Sequence, residues 1–252
     1  KIIDVSSPTA PQLISSLNLS GASARGLDIA GNYLYVAADT AGMRIIDIST
    51  GVNDQTLTWP KVPKPQFRKI YSIGSDHHAN DTKIDMSVHT GTHIDAPLHF
   101  IPNGKSIDEL PLDNFIGPAF VAYLPKVKAI TEQDLEGLNL PSKTNRILFR
   151  TANSLEWGKG YSKFNKNYVG LTTTAACWLV KHQVKLVGVD YISVAKFSEA
   201  VPVHQILLKA GVTLLEGINL SNVKQGIYQL ICLPVKISNC EAAPTRAILL
   251  KI

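Results

Sequence analysis

The stretch His89-Thr90-Gly91-Thr92-His93-Ile94-Asp95-Ala96-Pro97-Leu98-His99 gathers three of the seven histidines of the chain, and an aspartate, into eleven residues. Neutral imidazole nitrogen and carboxylate oxygen are the donors that divalent zinc or manganese accepts. His93 and Asp95 are two apart, so on an extended segment their side chains share one face. Gly91 can take the tight bend that brings His89 round to the same point. Pro97 stiffens the exit and argues against a regular strand. The spacing is not the helical His-Glu-x-x-His pattern, so the expectation is a metal site carried on a loop. Histidines also cluster by chance on solvated loops. Here small and turn-forming residues separate the polar ones where a coordinating loop needs them, which favours the metal reading.

Further pieces lie downstream. Pro202-Val203-His204 leads into Ile206-Leu207-Leu208, and Glu216 closes the apolar run around Leu214-Leu215. A carboxylate directly after a buried strand is costly unless it is paired or metal-bound; composition alone leaves Glu216 equally readable as a strand-end surface residue. His77 and His78 read as surface residues on a loop, with substrate contact as the alternative, and His182, in a helix, as structural. Cys177, Cys232 and Cys240 form neither a disulfide framework nor a zinc ribbon and read as incidental thiols.

The elements that must hold these residues follow from pattern. Prolines 60, 63 and 65 mark an extended stretch. Lys83–His89, Ala119–Leu124, Arg146–Thr151, Lys185–Val194, Val212–Glu216, Gln229–Val235 and Ala247–Ile252 read as strands. Thr172–Gln183 has helical spacing behind a threonine-rich start suited to capping. Strands with few helices, in 252 residues of which 45% are hydrophobic and 18% charged, predict a mixed α/β (α+β) domain of about 200 residues. The net charge of +5 is scattered, with no basic run to track a groove, so no nucleic acid is expected. No apolar run reaches the ~18 residues of a membrane span. No signal peptide is visible. A cytoplasmic protein is expected, and an extracytoplasmic one stays compatible with a chain that opens at Lys1.

The N-terminal fifth has another texture. Lys1-Ile2-Ile3-Asp4-Val5-Ser6 returns 43 residues later as Arg44-Ile45-Ile46-Asp47-Ile48-Ser49, inside the roughly 40–50-residue range of propeller blades. Between the copies lie alternating runs at Leu13–Leu19, Ala24–Ile29 and Tyr33–Ala38, with a Gly31-Asn32 turn. Residues 1–50 resemble the LVIVD-type β-propeller repeat in "IIDVSSP" and "GNYLYVAADTAGMRIIDIS". One blade cannot bury its own apolar face, so residues 1–43 read as a partial module ahead of a second domain, 44–252.

That second domain resembles the metal-dependent cyclase family of hydrolases, which includes bacterial kynurenine formamidases and isatin hydrolases. The resemblance runs from about Arg44 to Ile252. It rests on His-x-Gly-Thr-His-x-Asp-x-Pro-x-His, matched at every fixed position by His89 to His99, and on the phrases "PLHFIPNGKSIDELPLDNFIGPA", "LVGVDYISV", "PVHQILLKAGVTLLEGINL" and "GIYQLICLPVKI". It implies a swivelling β/β/α domain, here preceded by one antiparallel blade-like repeat. It implies that His89, His93, Asp95 and Glu216 bind one metal, that Asp95, His204 and Glu216 hold a second where two are present, that His99 is the proton donor and acceptor, and that Trp59 packs against a small-molecule substrate. It also implies one or two zinc or manganese ions and a homo-oligomer whose partner subunit helps to close the site.

The expected reaction is hydrolysis of a carbon–nitrogen bond in a formamide or cyclic amide. The alternatives are a lactone hydrolase of the same family, or a non-catalytic metal-stabilised assembly module. One departure bears on substrate: formamidases follow the Trp-Pro pair with Gly-Asp, whereas Trp59-Pro60 is followed here by Lys61-Val62.

Overall fold

A computed structural model describes residues 2–4, 12–15, 24–30, 33–38 and 44–251, apart from 75–76, 143 and 158–162. The chain divides into two compact units, Lys1–Arg44 with Ile252, and Ile45–Lys251. In the first, β1 (Ile2–Asp4) pairs antiparallel with β2 (Gln12–Ser15), and β3 (Ala24–Ala30) with β4 (Tyr33–Ala38). Residues 16–19 of the expected first run, and the Gly31-Asn32 turn, lie outside the described residues.

The second unit is organised on a nine-stranded sheet among the described residues. Its centre is four strands parallel to their neighbours: β12 (Thr213–Glu216), β11 (Leu186–Val189), β10 (Arg146–Thr151) and β9 (Ile116–Leu124). On one side β8 (His93–Asp95) and then β14 (Ala242–Pro244) add antiparallel. On the other β13 (Gly226–Ile231) and β15 (Ile248–Lys251) add antiparallel, with β5 (Arg44–Asp47) at that edge. Parallel strands need long crossovers. These carry α1 (Glu132–Glu136), α2 (Ser154–Trp157), α3 (Thr173–Lys181) and α4 (Ala200–Lys209).

Strand alternation sorts the core into two layers. Phe120, Ala122, Ile147, Phe149, Val187, Val189 and Leu214 pack against Leu135 of α1, Ala175, Ala176 and Leu179 of α3, and Val203, Leu207 and Leu208 of α4. Their neighbours Ala119, Val121, Leu148, Leu186 and Leu215 point the other way, onto Ile48, Ile94, Phe115, Tyr228, Leu230 and Leu249. Because both faces are covered, β11 and the centre of β10, Ile147, Leu148 and Phe149, read as continuous apolar runs.

Several expectations change. The strand expected at Lys83–His89 is β7 (Asp81–Asp85), the partner of β6 (Gln66–Tyr71) in a mostly exposed hairpin. Ser87 to Gly91 turn instead, with the Thr90 N–H donating to the Ser87 carbonyl at 3.1 Å. The strand expected to run to Val194 ends at Val189, since Asp190 leaves the ladder to bind the β10 end. The strand expected at Gln229–Val235 runs from Gly226 to Ile231. The site expected on a loop is partly strand-borne: His93–Asp95 is wholly buried and pairs on both sides. Pro97 acts just beyond it, opening the 3-10 turn Pro97–His99. Helix α4 had no predicted counterpart. Pro202 looks like a breaker, yet it lies in the first turn, where the missing N–H has no intrahelical acceptor in any case.

Leu148 is fully buried at the middle of the sheet, in the layer away from the helices. Leu148→Ala should cost about 2–5 kcal/mol, read as a lower urea midpoint with an unchanged slope.

Candidate active site

The register of β8 against β12 sets Glu216 opposite His93 and Leu214 opposite Asp95. Ile94 and Leu215, between them, face the other layer. His93, Asp95 and Glu216 therefore share the helix-bearing face, at the carboxyl end of a parallel strand, where open α/β sheets place their ligands. On α4, His204 lies on the buried side with Val203, Leu207 and Leu208, which brings its ring over the same spot. Gly91, at φ 67, turns the chain so that the His89 ring reaches within 5.1 Å of His93. The 3-10 turn returns His99 to 4.1 Å from His89, ring to ring.

Six side chains named from the sequence thus converge. His93 Nε2 stands 3.4 Å from Asp95 Oδ1 and 3.3 Å from Glu216 Oε2. His89 Nδ1 is 2.9 Å from Asp95 Oδ1. His204 Nε2 is 3.2 Å from Glu216 Oε1 and 3.9 Å from Asp95 Oδ2, and His99 Nε2 is 4.0 Å from Asp95 Oδ2. Asp95, His93, His204 and Glu216 are buried, whereas His89 and His99 keep some exposure. Trp59 stands apart, as the pocket wall.

The outer contacts set which atoms face inward. His93 Nδ1 meets the Gly91 carbonyl at 2.9 Å, and His204 Nδ1 meets the Ala200 carbonyl at 2.6 Å. A carbonyl only accepts, so Nδ1 donates in both rings and each Nε2 faces the cluster, where a carboxylate contact calls for its proton and a bound cation would call for its lone pair. The Val194 N–H donates to Glu216 Oε1 at 2.7 Å.

Electrostatics follow from burial. Burial pushes the Asp95 carboxyl up and the Glu216 charge adds to this, but His89 and His93 outweigh both and hold it below its ordinary value. Burial likewise raises Glu216, and His204 and His93 more than reverse it. Burial lowers His93, yet Glu216 and Asp95 lift it to about 9. His204 is raised in the same way against its own burial. His99 goes down, mainly through burial and with help from the neighbouring histidines, against the pull of Asp95.

Two buried carboxylates demand compensating positive charge, and a cation suits the donor set. His93 Nε2 and both Asp95 oxygens are buried without an aligned hydrogen bond among the described residues. Two donors each about 2.0–2.2 Å from one ion stand roughly 3–3.5 Å apart, and the contacts around His93 and Asp95 are 2.9–3.4 Å. The donors fall into two sets that share Asp95, namely His93, Asp95 and Glu216, and His89, Asp95 and His99.

Above the cluster opens a pocket of about 280 Å³, walled by Trp59, Val62, Phe100, Ile192 and Val201, with His89, His99, His204 and Glu216 at its floor. Trp59 is held by Phe164 and Phe197 at ring distances of 5.1 and 5.5 Å. Lys61 adopts φ 73, a conformation natural to glycine, and the turn it makes delivers Val62 to the wall. A cavity of similar size behind Ile192 is lined by Thr50, Asn53, Thr56 and Asn219 and carries none of these donors. His77 and His78 are exposed, and His182 stacks on Trp178 at 3.7 Å.

Sequence reasoning missed Asp190, though it too follows a buried strand. Its carboxylate accepts from the backbone and hydroxyl of Thr151, the backbone and hydroxyl of Ser154, and the Asn153 amide, at 2.5–3.3 Å. That knot holds the start of the segment whose Ile192 and Ser193 line the pocket and whose Val194 grips Glu216. The Phe164 and Phe197 supports, and Glu241 beside His89, gave no comparable signal.

A profile of the Cyclase family, described as "Putative cyclase", matches residues 46–196, and the chain belongs to that family. The LVIVD repeat profile matches residues 1–18 and 21–51. The chain is 37% identical over 221 residues to cyclase-like protein 3 of Oryza sativa subsp. japonica, covering 83% of this chain and 81% of that one. It is 36% identical over 217 residues to kynurenine formamidase of Salinibacter ruber, covering 82% and 97%. Among solved structures, one titled as a potential metal-dependent hydrolase with cyclase activity superposes with a TM-score of 0.74 at 30% identity, over 84% of this chain and 99% of that one. Isatin hydrolase A of Labrenzia aggregata superposes at 0.71 and 26% identity, over 82% and 93%.

Gly217, at φ 67, crosses the turn at Gly91 so closely that an added Cβ would lie 2.1 Å from the Gly91 oxygen. Gly217→Ala should therefore destabilise by more than the ~1 kcal/mol typical of backbone substitutions, visible as a lowered melting temperature.

Proposed function

We propose that this chain is a divalent-metal-dependent hydrolase that cleaves the carbon–nitrogen bond of a small aryl formamide or cyclic amide. Its main support is the convergence of buried donor atoms of His93 and Asp95 that lack an aligned hydrogen bond among the described residues, beside Glu216, at the floor of an aromatic-walled pocket. The kynurenine formamidase and isatin hydrolase relatives support the bond type.

In this reading His89, His93, Asp95 and Glu216 hold one zinc or manganese ion, and Asp95, His204 and Glu216 provide for a second. When bound, the cation would supply Lewis acidity, lowering the pKa of water towards ~7 and polarising a carbonyl. The protein does the rest. Trp59, Phe100 and Ile192 exclude water and stack the aryl ring. His99, kept neutral by burial and by its histidine neighbours, takes the proton of the attacking water and returns it to the leaving nitrogen. Val62 adds apolar surface on the wall and so favours an unadorned aryl group over a polar side arm.

The test is metal content by elemental analysis, with hydrolysis of N-formylkynurenine and isatin before and after chelation. One or two equivalents of zinc or manganese and chelator-sensitive turnover are expected; full turnover by metal-free protein overturns the proposal. His99→Ala should keep its metal and lose about 10²–10⁴-fold in turnover, measured at saturating substrate. His93→Ala should lose metal first, so its elemental analysis is the informative readout.

A further inference from the structure

The inward-facing nitrogens of His93 and His204 are set because each ring donates its other nitrogen to a backbone carbonyl. His89 is turned the opposite way. Its Nδ1 faces Asp95 at 2.9 Å, so Nε2 points outward and, in a neutral ring with its lone pair on Nδ1, carries the proton. That Nε2 is buried and has no aligned hydrogen-bond partner among the described residues. The group facing it is the Glu241 carboxylate, with Oε1 at 3.6 Å. This is longer than a hydrogen bond, and with the Glu241 side chain 40% exposed a small rotation about its own bonds closes the remaining few tenths of an ångström.

The backbone beneath that carboxylate is firmly placed. The Glu241 carbonyl accepts from the N–H of Ala96, the residue after Asp95, at 2.9 Å, and the next three residues form β14 against β8. The Cys240 thiol donates to Glu241 Oε2 at 3.6 Å, which leaves Oε1 for the imidazole.

We infer that Glu241 is a positioning residue for His89: it accepts the Nε2 proton, fixes the tautomer and ring plane, and so presents the Nδ1 lone pair to the metal. This rests on the reading of His89 as a ligand. It gives His89 the outer carboxylate that metal-binding histidines commonly use to stay oriented and to gain basicity.

The experiment is zinc affinity of the chain of residues 1–252 by chelator competition, with the absorption spectrum of the cobalt-substituted protein and the melting temperature of the metal-free protein as companions. Glu241→Ala should bind zinc about 10–100-fold more weakly, with an altered cobalt spectrum and an unchanged metal-free melting temperature. Glu241→Gln, which keeps an acceptor oxygen, should recover most of the affinity, and it also serves if the alanine variant fails to fold. His89→Ala is the control for the underlying reading. If His89→Ala weakens binding while Glu241→Ala and Glu241→Gln bind as the parent does, Glu241 has no positioning role and His89 stands as a ligand. If His89→Ala also binds zinc as the parent does, His89 is not a ligand and the inference falls with it.

Discussion

Two carboxylates, Asp95 and Glu216, lie almost fully out of water on one face of a sheet. Ionised groups in that position are expensive unless opposite charge and hydrogen bonds surround them. Much of the second unit answers that demand. The antiparallel addition of β8 to an otherwise parallel centre puts the two carboxylates and His93 within contact range. Helix α4 lays His204 over them. The Val194 N–H and the rings of His89 and His99 complete the enclosure.

Holding such a cluster requires the chain to pass close to itself. The Gly91 and Gly217 turns touch where no side chain fits, and the Thr92 hydroxyl bridges them by donating to the Gly217 carbonyl at 2.6 Å. The Tyr191 carbonyl accepts from the Gly217 N–H at 2.7 Å, so the Asp190 knot, the Glu216 strand end and the motif turn form one continuous network. The polar groups within it are directional and mutually dependent, unlike the apolar layers that merely fill space.

Much of this was legible in the residues themselves. The His89–His99 spacing announced a donor cluster, and the buried strands β9, β10 and β12 were close to their expected limits. What escaped notice has physical causes. A three-residue strand such as β8 shows too little alternation to be told from a loop. Pro202 masked α4 because its tolerance in a first turn depends on where the helix starts. Asp190 was visible by the very argument that drew attention to Glu216, a carboxylate capping a buried run, but its donors lie 36–39 residues away and only the fold brings them near. Glu241 stands in an irregular stretch with no pattern to weigh, and its relation to His89 is purely three-dimensional.

The floor and the walls of the pocket come from different parts of the chain. The donors come from a single eleven-residue motif, one helix and one strand end, all locked by the sheet register. The pocket walls come from other segments: the turn at Trp59–Val62, the aromatic support at Phe164 and Phe197, and the exposed side of Val201. Changes in those walls leave the β8–β12 ladder untouched. The floor and the walls of the pocket therefore answer to different constraints: the ladder register fixes the donors, whereas loop side chains set the shape and polarity of the space above them.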